Sequence, residues 1–285
     1  MFLIPESFLI SRTFKKILIA TDPNVFFHLY PHEPEGNLSY ILKPENVEYV
    51  KVPNLNPLFM FNKRIISDKI ALTFGYQEDE LKAEKSDLSF EKWKSPKFDH
   101  FLNDFTTPKK EGSVCYYSHA SWIRQKEKHG ATWFEEDKME VKLLNYFKGN
   151  KELFQNGKGI TVCLHPKEKK TPELLNQSVE YYKDHFGEEV KILPPQQSSY
   201  DSFQLFDLGI SAFTSIIFER LYCGHKSLIY HDQESYAFPI ESSDYGHFVF
   251  RNFQELSLKL RDIIEGKVTD QKFFNGLEKY TYKFV

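Results

Sequence analysis

From Ser113 onward, short apolar runs of strand length alternate with amphipathic runs of helix length, and this alternation leaves few architectures open to the second half of the chain. The strand-like runs are SVCYYS (113–118), GITVCL (159–164), VKIL (190–193), LGIS (208–211), KSLIY (226–230) and HFVF (247–250). Helical patterns lie between them at 139–148, 172–186, 200–206, 215–222 and 252–265. Continuous apolar strands separated by helices indicate βα units and a parallel sheet buried on both faces. The helix limits have chemical causes: Thr171-Pro172 supplies an N-cap and a proline at the first helical position, and Gly187 and Gly224 stand where a left-handed residue closes a helix. The expected fold class is therefore α/β, with a Rossmann-like parallel sheet in the C-terminal half.

Residues 1–112 are less regular. KKILIA (15–20) reads as a buried strand, and the proline-rich segments 23–36 and 52–64 rule out long helices. A charged stretch at 76–97 reads as helical or loose. We expect a smaller, irregular or reduced α/β region at 1–112 and a nucleotide-binding domain at 113–285, divided by the composition break near Gly112.

The net charge of −3, with basic residues spread along the chain, gives no basic face for nucleic acid. The apolar N-terminus is interrupted by Pro5, Glu6 and Ser7 and reads as mature protein, and no run reaches the eighteen or so apolar residues of a membrane span. Cys115, Cys163 and Cys223 sit among apolar neighbours without the close spacing of a zinc site, which suits buried thiols in a reducing, cytoplasmic setting. No transmembrane segment is expected, and peripheral membrane association stays open.

In an open parallel sheet, ligands bind beyond the carboxyl ends of the strands, so the residues that follow each run carry the functional reading. His165 ends one strand, and Pro166 holds it extended. Lys167, Lys169 and Lys170 form a cationic lip that could attract a phosphate; they also fit a plain solvated surface. Ser211, Thr214 and Ser215 surround a small-residue turn that opens a helix, an arrangement that suits an anion and equally an ordinary N-cap. Glu219 lies one turn later on the same face, placed either to accept sugar hydroxyls or to pair with Arg220 or Lys226. His231-Asp232 ends another strand, as a nucleobase contact or a turn. His119, Trp122 and Arg124 follow the first strand of this half, as lining of the cleft between the two regions or as a packing tryptophan and solvated charges, and the acidic run Glu135 to Asp137 fits helix N-terminal charge.

The order of strand, His-Pro, lysine-rich lip, helix, strand and helix, then Asp, Ser, small turn, Thr-Ser and an apolar helix with Glu, resembles the C-terminal half of a GT-B glycosyltransferase over about 116–264. It is most similar to bacterial sialyltransferases, polysialyltransferases and capsule or lipopolysaccharide transferases. The resemblance implies that His165-Pro166 and Thr214-Ser215 bind the phosphate and cytidine of a CMP-linked sugar. His165 is then the catalytic candidate, and Pro166, Lys167, Ser211, Thr214, Ser215, Glu219 and His231 are the substrate-binding candidates. It also implies transfer to a saccharide acceptor in bacterial surface glycan synthesis, with no metal and no cofactor beyond the nucleotide-sugar donor. The family's acidic motif closed by glycine is not found in residues 1–112, and FEEDK lacks the glycine, so the general base is unassigned. A non-catalytic nucleotide- or glycan-binding protein and a sugar-nucleotide epimerase or hydrolase remain as alternatives.

Overall fold

The computed structural model describes residues 3–28, 40–52, 66–72, 89–106, 111–127, 135–154, 159–212, 214–232, 244 and 246–284. Contacts divide the chain into two compact units, 1–96 with 282–285, and 97–281.

The first unit holds helix α1 (Leu3–Thr21) and four parallel strands, β1 (Val25–His28), β2 (Glu48–Lys51), β3 (Lys69–Leu72) and β4 (Ser89–Lys92), in the order β1-β2-β3-β4. Tyr49, Val50, Ile70, Ala71 and Leu72 of the inner strands are buried. KKILIA, expected as a strand, lies inside α1. A short apolar run fits a strand or a helix, and here Leu18 is 4% exposed while Phe14, four residues earlier, meets Phe26 edge-on at 5.9 Å. Ile17 and Ile19 are left 51% and 60% exposed, which a buried strand would not allow. The helix stops at Asp22, which takes φ 44° and donates its amide to Leu18 O at 2.9 Å before Pro23. Part of the expected irregular region is thus a regular parallel sheet, and β4 occupies the end of the charged stretch; residues 53–65 and 73–88 lie outside the described set.

The second unit carries six parallel strands, β5 (Val114–Tyr117), β6 (Ile160–Cys163), β7 (Lys191–Ile192), β8 (Leu208–Ser211), β9 (Ser227–Tyr230) and β10 (Val249–Phe250). Its helices are α2 (Ser121–Glu127), α3 (Glu135–Gly149), α4 (Pro172–Phe186), α5 (Ser202–Leu205), α6 (Ser215–Tyr222), α7 (Phe253–Ile264) and α8 (Asp270–Phe274). The sheet order is β10-β9-β8-β5-β6-β7. The chain therefore winds outward from β5 to β7, returns to the other side of β5 as β8, and winds outward again, the doubly wound Rossmann order. All residues of β5, β8 and β9 are buried, as continuous apolar runs between helix layers require.

The caps act as their residues dictate. Thr171 Oγ1 accepts the Leu174 amide at 3.2 Å, Asn252 Oδ1 accepts that of Glu255 at 2.9 Å, and Gly187 and Gly224 take φ of 99° and 78°. The boundary expected at Gly112 falls inside the second unit. Phe98 packs on Tyr222 at 5.6 Å, the Asn103 amide donates to Cys223 O at 2.9 Å, and the Gly112 amide donates to Asp207 Oδ2 at 2.9 Å. All three cysteines are buried and free.

Candidate functional site

The strand order reverses between β5 and β8, which opens a crevice beyond their carboxyl ends, where doubly wound sheets bind ligands. Three segments leave the sheet at this edge: residues following β5 (from Ser118), β6 (from Leu164) and β8 (from Ala212). Neighbouring strands lie about 4.8 Å apart, so the ends of β6 and β8 are separated by about 10 Å with the end of β5 between them.

At the end of β6, His165 is extended, with φ −64° and ψ 148°, as Pro166 demands. It opens a 3-10 turn (Pro166–Lys169) as its N-cap: its Nδ1 accepts the Lys167 amide at 3.2 Å. Neutral imidazole with Nδ1 so occupied carries its proton on Nε2. Burial, then the Arg124 cation and the neighbouring His119, push its pKa down to about 4, so at pH 7 His165 is a neutral Nε2–H donor. Pro166 and Lys167 are exposed, and Lys169 Nζ reaches Gln197 O at 3.4 Å.

Glu168, three residues after His165, returns the cap: its Oε2 accepts the His165 amide at 2.8 Å. Its Oε1 accepts Trp122 Nε1 at 2.7 Å and the Tyr182 hydroxyl at 2.9 Å. Glu168 is fully buried, and desolvation, reinforced by nearby Glu140, raises its pKa to about 7. The His-x-x-Glu spacing is the sequence signal that locates it.

At the end of β8, Ser211 departs from its expected role: its hydroxyl is buried and donates to Tyr117 O at 2.7 Å, tying β8 to β5. Thr214 is the N-cap of α6 in extended conformation, and its hydroxyl makes no capping bond; Ser215 is exposed at the first turn. Glu219 is 7% exposed and pairs with neither expected partner, but with Lys97 at 3.3 Å. Lys97 also lies over the rings of Phe98 (4.8 Å) and Tyr200 (4.7 Å). Burial raises the pKa of Glu219 against the lowering influence of Lys97. Arg220 instead donates to backbone carbonyls, and Lys226 pairs with Asp207 at 2.7 Å and Asp270 at 3.3 Å.

His231, expected at the nucleobase, is 1% exposed; its amide extends the ladder to Phe250 O at 3.0 Å, and burial pushes its pKa down to about 4. Asp232 pairs with Lys142. Trp122 packs as expected, stacked on Tyr181 at 5.5 Å, but Arg124 is paired with buried Asp137 at 2.7 Å instead of being solvated. Among the described residues, no cluster of three or more His, Cys, Asp or Glu is arranged to hold a metal ion, and no helix is long and apolar enough to cross a membrane.

No family model matches the chain, and no curated protein matches it. Solved structures do. One from Listeria monocytogenes, provisionally named a UDP-N-acetylglucosamine 2-epimerase, is similar with a TM-score of 0.58 at 12% identity, over 98% of this chain and 76% of that one. Another UDP-N-acetylglucosamine 2-epimerase gives 0.53 at 10% identity, over 93% and 70%. A structure of accessory secretory protein 1, 2 and 3 in Streptococcus pneumoniae gives 0.54 at 14% identity, over 96% of this chain and 57% of that one. At such identities the likeness speaks for architecture: the chain has a GT-B-like α/β fold built on parallel sheets.

Proposed function

We propose that the second unit binds the phosphate end of a nucleotide sugar at the crevice between β5 and β8, and that the protein is a metal-independent glycosyltransferase. The donor is proposed to be CMP-linked, as a sialic or ulosonic acid, and the acceptor a saccharide of a bacterial surface glycan. The observation that carries this reading is the state of His165. It is a neutral Nε2–H donor fixed by its own turn, on the same sheet edge as the start of α6.

The helix start contributes partial positive charge and backbone amides, and Thr214 and Ser215 contribute hydroxyls. Negative charge grows on the leaving phosphate as the sugar departs. Donors already aimed at that phosphate stabilise it without reorganising, the effect that usually dominates such catalysis. With a pKa near 4 in the free protein, His165 is a neutral hydrogen-bond donor. The acceptor hydroxyl requires a base, which belongs to no residue assigned here.

A second reading, epimerisation of a nucleotide sugar, is favoured by the names of two of the similar structures. Calorimetric titration with CMP, UDP and GDP tests both: tight binding of one is expected, and failure of all three ends both. Turnover of the bound donor sugar with and without a mixed glycan acceptor, with EDTA present, then separates them. Acceptor-dependent release of nucleotide indicates transfer, an altered donor sugar without acceptor indicates epimerisation, and no turnover leaves a nucleotide-binding protein.

A further inference from the structure

His119 follows β5, the strand at which the sheet order reverses, and so stands between the His165 and Thr214 segments. The turn that carries it is costly to form. Ala120 takes φ 61°, a left-handed conformation that costs a non-glycine residue about 1 kcal/mol or more. Glu140 of α3, 1% exposed, grips both sides of that residue: Oε1 accepts the His119 amide at 2.6 Å and Oε2 accepts the Ser121 amide at 2.9 Å. One helical turn earlier on α3, buried Asp137 approaches His119 Nε2 at 3.7 Å while it pairs with Arg124 at 2.7 Å. Buried Glu140 and a strained alanine therefore fix the turn that presents this imidazole. Around it Ser118, Ala120, Ser121 and Trp122 are all buried, whereas the His119 side chain keeps 20% of its surface exposed. Its ring lies 6.4 Å from that of His165, a separation that suits two imidazoles flanking one tetrahedral anion.

We propose that His119 is a phosphate-contacting residue of the nucleotide site, a second donor facing the group that His165 contacts. Asp137, engaged by Arg124 and at 3.7 Å beyond hydrogen-bond reach of the ring, leaves the single proton of the neutral His119 imidazole for the phosphate. Arg124 adds positive charge to the same corner and is itself held by Asp137. This inference rests on the nucleotide-sugar reading, and it specifies which part of the ligand meets β5: the phosphate, not the base.

The test compares whichever of CMP, UDP or GDP binds the wild-type chain with its own nucleoside, by calorimetry. His119→Ala is expected to weaken the nucleotide about tenfold or more and to leave the nucleoside unchanged, with partial recovery in His119→Gln. Equal nucleotide affinity in wild type and His119→Ala overturns the inference and leaves the nucleotide reading standing. Equal loss of nucleotide and nucleoside also overturns it, as the mark of a merely structural residue. Wild-type protein that binds no nucleotide removes both. Should the variants fail to fold, nitrogen-15 spectra of the wild-type histidine rings decide: His119 must shift with the nucleotide and not with the nucleoside, and an unmoved His119 signal overturns the assignment.

Discussion

Gly209 of β8 lies directly against the side chain of Arg220 of α6, and a Cβ at residue 209 would come within 2.5 Å of Arg220 Cδ and 2.6 Å of its Nε. The guanidinium runs beneath the strand, fully buried, and donates to Phe203 O at 3.0 Å, Phe206 O at 2.6 Å and Lys226 O at 3.3 Å. It thereby joins α5, α6 and the approach to β9 behind the candidate site. Both atoms near the missing Cβ belong to a chain pinned at its far end, so Arg220 cannot swing aside. Gly209→Ala should destabilise the protein by about 1–3 kcal/mol in urea unfolding. Arg220→Met, which leaves several carbonyls without donors, should cost more. A Gly209→Ala variant within about 0.5 kcal/mol of wild type would contradict this account.

The phosphate reading predicts an effect on binding, which at Ser215 is separable from stability. His165→Ala and Ser215→Ala should each weaken nucleotide binding or turnover by about 1–3 kcal/mol, the range for a hydrogen bond to a charged group. Ser215 is exposed at the first turn of α6, so its truncation should leave the unfolding midpoint near that of wild type. Wild-type affinity in both variants would reduce His165 to a turn cap and Ser215 to surface.

Much of the second unit was legible because its strands are continuous apolar runs and its helices carry their own caps. LGIS, the helix at 172–186 and the helix at 215–222 occur at the limits their residues indicate. The first unit was harder for a physical reason. Its strands EYVK and SFEK carry charges that resemble loop sequence, and β4 leaves Ser89, Glu91 and Lys92 exposed at the sheet edge. KILIA has an apolar run whose length fits either element. At the site, His165 could be found because a strand end and a proline announce it. Glu219 could be found but its partner could not, since Lys97 is distant in sequence and no pattern links the two. Asp137 reads as helix N-terminal charge and Glu140 carries no signal of its own, because burial depends on which side of α3 faces β5.

Glu168 predicts an unusual dependence of stability on pH. Its carboxyl titrates near 7 when folded and near 4.5 when exposed, so the folded state retains a proton that the unfolded chain has already released. Its contribution is therefore complete below about pH 4.5 and is lost as pH rises to about 7, by up to about 3 kcal/mol. His165 has the opposite sign: its folded pKa near 4 makes its contribution complete above about 6.5 and lost as pH falls towards 4. Between pH 6.5 and 7.5 the buried histidines, His165 and His231 among them, still gain stability as the unfolded chain releases its protons, so the glutamate is read from the difference between wild type and a Glu168 variant. In urea unfolding, wild type should lose stability relative to Glu168→Gln across that interval, a difference that arises at the glutamate. An identical slope in the variant would contradict this assignment.

Lys97 and Glu219 give a final prediction in which the sign of the pH effect discriminates between causes. Glu219 is 7% exposed, and desolvation already raises its pKa; Lys97, at 3.3 Å, works against that rise. Lys97→Met keeps an apolar chain over Phe98 and Tyr200 and removes the charge with its hydrogen bonds. The Glu219 pKa should then climb further, and the variant should lose stability chiefly where the carboxylate must be ionised, at pH 8, and far less at pH 5. Because the Lys97 side chain is 54% exposed and screened by solvent, the loss at pH 8 should be modest, about 1 kcal/mol. In Glu219→Gln the same lysine substitution should cost little at either pH, since a neutral amide has no charge to leave unpaired. Equal losses at pH 5 and pH 8 in the Glu219 background would show that Lys97 acts through packing on the two rings and not through the carboxylate.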